Sequence, residues 1–553
     1  MRFINQAVVR RYSKWILPLS VCAAASPGMM SNDWTQNPFP QWCLPVACEE
    51  PPRTPLPHPQ LGKRLKGLPS YTFSEIAKHK TKNESVWVTY QEGVYDVTAF
   101  VSKHPGGEKI LLGAGGPVDA YWRLYGQHLT LPHISHMMEE MRIGNVDESD
   151  YKRHLEEKAK MASNDQDPYH VDNSIDRHPG LVFISQRPAN AEVPPSLLCD
   201  SFITPNELFF VRHHFPVPSP TDKGADEVII SSSSLTKAAP PVTLSVRDLR
   251  EKFNQRTITA TIQCTGNRRT GFASVPNTPG KVKGLTWSVG AISNAQWRGP
   301  LLRDVLLHMY PNGIPDDVKH VCFVGRDNDG NGQHYGVSIQ IDRAMDERSD
   351  VILALEMNGE PLPLDHGYPI RVVVPGTAGC RSVKWLKSIE LSPTESTAFW
   401  QKEDYKSFSP SQGWEGLDFD SAPSVMSTPV QSAICDVTWS DDKSYAVLKG
   451  YSYSGGGLGI IRVDVSADGG KTWTPASELR GEHEDVTNLP YRRTYSWTLW
   501  TAVIENLENV KNPEFVVKAV DEGYNSQPDT PAGIWNVRGI LNNSWHKVSV
   551  EEE

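Results

Sequence analysis

The chain is 553 residues long, enough for about three or four domains that each close a core of their own. Its formal net charge of −10 lacks the basic footprint that nucleic-acid binding needs, so no nucleic-acid role is expected. Eight cysteines lie scattered without zinc-ligand spacing, and their scatter argues against structural disulfides.

Residues 1–30 carry Arg2, Arg10, Arg11 and Lys14 and no acid; the first carboxylate is Asp33. A basic, acid-free start reads as a mitochondrial targeting segment, and the apolar run from Trp15 to Ala25 is too short to span a bilayer. Basic residues followed by an apolar run are the layout of signals that deliver proteins to the intermembrane space. A secretory signal and a plain disordered tail are the rival readings. Residues 31–65 hold Pro38, Pro40, Pro45, Pro51, Pro52, Pro55, Pro57 and Pro59 and read as an extended linker.

Over residues 66–148 the first element is a capped helix start at Tyr71-Thr72-Phe73-Ser74-Glu75-Ile76. Strands at Val86–Tyr90 and Val94–Val97 follow, joined at Glu92-Gly93. Then comes His104-Pro105-Gly106-Gly107, and after the aromatic run Tyr121-Trp122-Arg123-Leu124-Tyr125 a second histidine, His128. Two imidazoles on separate elements suit the two axial positions of a haem iron, and the glycines let the backbone turn beside the first ligand. This segment resembles the cytochrome b5 domain, which implies haem b held by His104 and His128. The spacing of 24 positions between the two histidines is one residue tighter than that family's loop.

Residues 149–167 are charged and read as a flexible hinge, helical in part around Tyr151–Glu157. From 168 to 393 short β-rich runs (Ile258–Gln263, Val321–Val324, Arg371–Val374) alternate with short amphipathic helices such as Leu302–Met309, an α+β pattern. Residues 394–553 hold short alternating strands at Tyr445–Leu448, Arg462–Val465, Tyr495–Trp500 and Phe515–Ala519, as in an immunoglobulin-like β-sandwich. The expected fold class is therefore multidomain α+β: a small haem domain, a central α+β domain and a β-sandwich.

Three central segments carry chemistry. Thr261-Ile262-Gln263-Cys264-Thr265-Gly266-Asn267-Arg268-Arg269 is a strand ending in a cysteine beside two cations, which favour a thiolate; a thiolate suits a soft metal. His366, Arg371 and Lys384, set among loop amides around Gly376–Val383, make a cradle for a phosphate-bearing cofactor. Phe209-Phe210-Val211-Arg212-His213-His214 adds a cation and two imidazoles after an apolar strand.

Together these closely resemble the molybdenum domain of the eukaryotic sulfite oxidase and assimilatory nitrate reductase families. The resemblance spans about residues 66–548 and includes Gly284-Leu285-Thr286-Trp287, Met357–Pro363 and Val383-Lys384-Trp385-Leu386 in the family's order. It implies a molybdenum-pyranopterin (molybdopterin) cofactor with Cys264 as the protein ligand of the metal. Phe210, Val211, Arg212, His213, His214, Asp327, His366, Arg371, Ser382, Val383 and Lys384 would hold the pyranopterin. Arg212, Arg269, Trp287, Tyr405 and Arg538 would form the anion pocket. His213 stands where family members often have Asn.

Several arginines around one small site make sense for a compact oxyanion, and sulfite entering or sulfate leaving fits that. The haem segment precedes the molybdenum segments, no Gly-rich dinucleotide loop follows, and Arg538 is charged; all three favour the animal-type sulfite enzyme over the nitrate enzyme. The resemblance further implies a homodimer, cytochrome c as electron acceptor and no membrane span. A nitrate reductase fragment, or a haem electron-transfer protein with an inactive molybdenum site, is the alternative.

Overall fold

A computed structural model describes residues 58–125, 127–162, 167–236, 240–481, 493–508, 510 and 512–550. The expected targeting segment and the linker before residue 58 lie outside the described residues. Among the described residues no helix is long and apolar enough to cross a membrane.

The haem domain is built on a sheet in the order Ser70–Tyr71, Arg142–Val146, Gly93–Asp96, Ser85–Tyr90, Lys80–Thr81. Thr72 caps the first helix by accepting the Glu75 N–H, as its position before an acidic first turn predicts. Val86, Val88 and Tyr95 point into a core with Val101, Val118, Trp122 and Met138, and the two ligand-bearing loops pack over it. The stretch expected to be a hinge is helical over Glu148–Ala162. Its first turn is fastened to the haem domain, because the Asp150 carboxylate accepts the Phe73 N–H at 2.7 Å.

Two larger sheets dominate the central domain, beside a small sheet of Val182–Ser185, Asn190–Glu192 and Val211–Arg212 and a pair of Ile352–Ala354 with Arg371–Val373. One larger sheet runs Val242–Ser245, Glu227–Ser232, Leu386–Ser392, His320–Asn328, His334–Gln340; the other runs Gln255–Gln263, Ile292–Pro300, Glu356–Met357, Glu360–Pro361. The expected helix Leu302–Met309 has those bounds, with Leu302, Val305 and Leu306 buried on one face at helical spacing. Gln255–Gln263 pairs antiparallel with Ile292–Pro300 along its whole length, ending at Gln263 opposite Ile292. That register delivers Cys264 to the sheet's edge, where its N–H donates to Ala291 O at 2.9 Å.

Past residue 430 two four-stranded sheets face each other. Gln431–Trp439, Tyr445–Tyr453, Thr498–Glu505 and Glu478–Arg480 form one; Thr474–Pro475, Ile460–Ser466, Glu514–Asp521 and His546–Ser549 form the other. Leu448, Val463, Val465, Trp500, Phe515 and Val517 fill the space between them. Tyr451, Tyr453 and Trp497 are instead buried in the apolar core of the central domain, so those aromatics are packing residues.

Arg268 joins the two domains. Its backbone is left-handed at φ 63°, and its buried guanidinium donates to Ser432 O at 3.2 Å, Ser544 O at 2.7 Å and Trp545 O at 3.1 Å. Burial lowers its pKa to about 10, so it still carries charge at neutral pH. Replacing it leaves buried carbonyls without their donor, at a cost of about 3 kcal/mol. Arg268→Leu should therefore lower the thermal unfolding midpoint of the central and β-sandwich domains by several degrees. The haem absorption, measured in the same sample, should keep its own transition.

Candidate functional site

The two histidines expected to ligate haem come together in the structure. The His104 and His128 rings face each other with centroids 6.2 Å apart and planes 15° from parallel. The two rings are thus close enough to be candidates for the two axial ligands of one haem iron. Each Nδ1 lies against a backbone carbonyl, His104 at 3.2 Å from Gly107 O and His128 at 2.9 Å from Tyr125 O. Donating there fixes the tautomer that leaves Nε2 free to ligate. Gly107 takes φ 59°, and a Cβ on Gly106 would come within 3.0 Å of the His104 ring, which is why glycines occupy this turn.

A second cleft opens at the end of the Gln255–Gln263 strand and encloses about 670 Å³ with its mouth included. Phe210, Arg212, His214, Cys264, Asp327, His366, Arg371, Ser382, Val383, Lys384 and Tyr405 line it. Residues from strand ends and loops between 209 and 405 thus gather around Cys264. The turn after Cys264 brings the Gly266 N–H to 3.4 Å from its Sγ.

The electrostatics of this cleft are unbalanced. Burial first, and then Arg371, hold Lys384 well below the usual ammonium range, while its Nζ donates to Asp365 O at 2.8 Å. Burial lowers Arg371 to about 9. Arg371 donates to His366 O and Ser382 O at 3.0 and 2.9 Å and lies 4.8 Å from the centre of the Trp297 ring, leaving its Nε without a protein partner. Asp327, pushed up to about 7 by burial, has an Oδ1 equally unpaired. His366 is lowered to about 3 by burial, so its ring is neutral. A stacked guanidinium with a free Nε beside unpaired oxygens of Asp327 and Thr265 matches a ligand carrying phosphate and hydrogen-bonding ring edges. These residues fit a pyranopterin.

In the same lining, His214 Nε2 lies 2.9 Å from the Tyr405 hydroxyl. Burial and then Arg212 lower the His214 pKa, and burial raises that of Tyr405, so both are neutral at physiological pH.

Five of the expected residues stand behind the lining. Val211 faces a neighbouring cavity with Leu181 and His366. His213 is fully buried, its Nε2 3.2 Å from Asp365 O and its Nδ1 3.6 Å from the Asp172 carboxylate; it braces the loop that carries His366. Trp287 and Arg269 flank Gly266, with Arg269 donating to Gly539 O at 2.9 Å and Leu285 O at 2.7 Å. Arg538 pairs with the Asp404 carboxylate and donates to Asp404 O at 3.1 Å, one residue from Tyr405. Lining residues that sequence reasoning missed include Phe209, Ile262, Thr265, Tyr335, Gly379, Cys380 and Trp385. Tyr335 lies far from every motif, and only its ring stacking on His214 at 4.6 Å reveals its place. Cys380 stays a thiol, since burial pushes it up to about 12.

Residues 72–147 match the cytochrome b5-like heme/steroid binding domain, 215–400 the oxidoreductase molybdopterin binding domain, and 422–553 the Mo-co oxidoreductase dimerisation domain. The chain is 44% identical to the mitochondrial sulfite oxidase of Homo sapiens over 87% of this chain and 84% of that one. It is likewise 44% identical to the sulfite oxidase of Gallus gallus, over 87% of this chain and 99% of the relative. A nitrate reductase of Cichorium intybus is 33% identical, over 73% of this chain and 44% of the enzyme. Among solved structures, the sulfane dehydrogenase SoxCD from Paracoccus pantotrophus shares the fold at a TM-score of 0.53 and 24% identity, over 70% of this chain and 92% of that one.

The charge imbalance of the cleft has a measurable consequence. Arg371→Met removes a charge-assisted contact of about 1.5–3 kcal/mol. Purified Arg371→Met protein should hold at least about tenfold less molybdenum per haem than wild type. Metal analysis checks this, with unchanged haem absorption as the internal standard.

Proposed function

This chain belongs to the sulfite oxidase family, and from that premise we propose that it oxidises sulfite to sulfate at the Cys264 cleft and passes the electrons singly through haem b to cytochrome c. It is an oxidoreductase acting on sulfite, its cofactors are molybdopterin and haem b, and its C-terminal segment is a dimerisation domain. Relatives named as mitochondrial suggest the mitochondrion, and the acid-free start of the chain supports delivery to the intermembrane space. The proposed division is a targeting segment at 1–30, a linker at 31–65, a haem domain at 66–148, a hinge at 149–167, a molybdenum domain at 168–393 and an immunoglobulin-like dimerisation domain at 394–553.

The observation that carries this reading is the gathering of Cys264, Arg212, Arg371 and Lys384 in one cleft, on a chain that also holds the His104/His128 pair. When bound, the molybdenum-pyranopterin cofactor supplies the two-electron oxidation, with oxygen drawn from water. The protein's part is binding and orientation. Cys264 offers its Sγ as metal ligand. Phe210, Val211, His213, His214, Asp327, His366, Arg371, Ser382, Val383 and Lys384 hold or brace the pterin and its phosphate.

Arg212, on the cleft wall, meets the anion directly, while Trp287 closes the pocket behind Gly266. Arg269 gives its hydrogen bonds to neutral carbonyls, so its charge stays uncompensated and acts on the anion from behind the same glycine. Arg538 shares its charge with Asp404, which weakens its pull on the substrate. The Tyr405 hydroxyl, positioned by His214, can donate to a sulfite oxygen without ionising.

Purified protein should reduce cytochrome c in a sulfite-dependent assay and fail to reduce nitrate with a reduced dye. Cys264→Ser should lose sulfite turnover while keeping its fold and haem spectrum; full activity in that variant would remove the molybdenum assignment. Replacing His104 or His128 with Ala should abolish cytochrome c reduction and leave sulfite oxidation by an acceptor that draws directly from molybdenum. Arg538→Met should raise the sulfite KM by up to about tenfold and leave the dimer intact on size-exclusion chromatography.

A further inference from the structure

The haem domain meets the central domain at a face, part polar and part apolar, that the reaction described above does not yet use. Asp200 follows the short helix Pro195–Leu198, and its carboxylate accepts hydrogen bonds from Lys109 Nζ and, at 2.5 Å, from the Tyr125 hydroxyl. Both donors belong to the walls of the haem site. Lys109 lies in the 3₁₀ segment Gly107–Gly113 that follows His104, and the Tyr125 carbonyl receives Nδ1 of His128 at 2.9 Å. One residue therefore orients an iron ligand through its backbone and touches the other domain through its side chain.

Beside this contact Tyr121 buries its ring edge-on against His178, centroids 4.8 Å apart, and joins the central apolar core together with Leu181 and Phe209. Leu181, Phe209 and His366 line the neighbouring cavity, and Phe209 and His366 also line the cofactor cleft. The apolar core that receives Tyr121 thus continues, through Leu181 and Phe209, to the cleft that would hold the pterin.

We infer that Asp200 is a positioning residue for electron transfer: by holding Lys109 and Tyr125 it seats the His128 side of the haem domain on the apolar core that continues to the molybdenum cleft. This rests on the reading that the Cys264 cleft oxidises sulfite. Sulfite and water give sulfate, two protons and two electrons; one electron at a time crosses this face and reduces ferric haem to ferrous haem. Cytochrome c must remove the first electron before the second crosses. The contact suits such alternation, because both partners of the Lys109–Asp200 pair are 28% exposed and salt can loosen it.

Two measurements on the full-length holoenzyme test this. Carbodiimide treatment in low salt should form an amide between Lys109 and Asp200, found as a linked peptide by mass spectrometry and lost at high salt. In stopped flow, Asp200→Asn should slow haem reduction by sulfite at least about fivefold at low salt and flatten its ionic-strength dependence. Its sulfite oxidation with an acceptor that draws directly from molybdenum should be unchanged. Lys109→Gln should reproduce the effect, which keeps the test open if Asp200→Asn folds poorly. The exchanged pair Lys109→Asp with Asp200→Lys should recover the rate. Unchanged haem reduction in Lys109→Gln and Asp200→Asn overturns the inference whether or not the crosslink forms. Absence of direct-acceptor activity in the unaltered enzyme would instead remove the functional reading on which it rests.

Discussion

Like charges gathered out of water are the constraint around which the central domain is arranged. Arg371 and Lys384 sit in one buried cleft with Arg212 in the same lining, and burial holds Lys384 and Arg371 below their usual ranges. Such a site works against its own charge until an anion enters it. The fold keeps the cations in place with backbone carbonyls, from Asp365 to Lys384 and from His366 and Ser382 to Arg371, and with the aromatic faces of Trp385 and Trp297. Neutral carbonyls fix direction without cancelling charge, so positive potential is left for a polyanionic cofactor and for a small oxyanion beyond it.

The same logic separates two neighbouring arginines. Arg268 and Arg269 are adjacent in a turn, yet the left-handed backbone at Arg268 sends their side chains to different ends. Arg268 runs into the β-sandwich and binds three of its carbonyls; Arg269 folds over Gly266 toward the cleft. The β-sandwich is thus fixed to the strand end that bears Cys264. Through Gly539 and Arg538 it also reaches Arg269 and Asp404 beside the cleft.

The haem domain is joined to the central domain by both packing and charge. Each imidazole of its histidine pair is anchored to a carbonyl of its own loop, while Tyr121 is buried in the central apolar core with Leu112, Leu124 and Tyr125 packed against it, beside the partly exposed Lys109–Asp200 pair. Imidazoles fixed within their own loops keep their geometry whatever salt does to that pair.

Local patterns in the sequence determined much of this. Thr72 before an acidic first turn, alternating apolar residues at Val86 and Val88, the helical spacing of Leu302, Val305 and Leu306, and the His-Pro-Gly-Gly turn each depend on neighbours a few positions away, and all took the expected form. The candidate site around Cys264 could be proposed for the same reason, since thiol, glycine turn and cations occur in one short run. Tertiary structure alone decided which residues meet. Tyr335 reached the cleft by stacking on His214, His213 withdrew between Asp172 and Asp365, and Tyr451 and Trp497 became core. It also brought Asp200 under Lys109 and Tyr125. Those outcomes depend on burial and long-range pairing across many tens of residues, where desolvation and packing outweigh any preference that a short stretch of sequence can express.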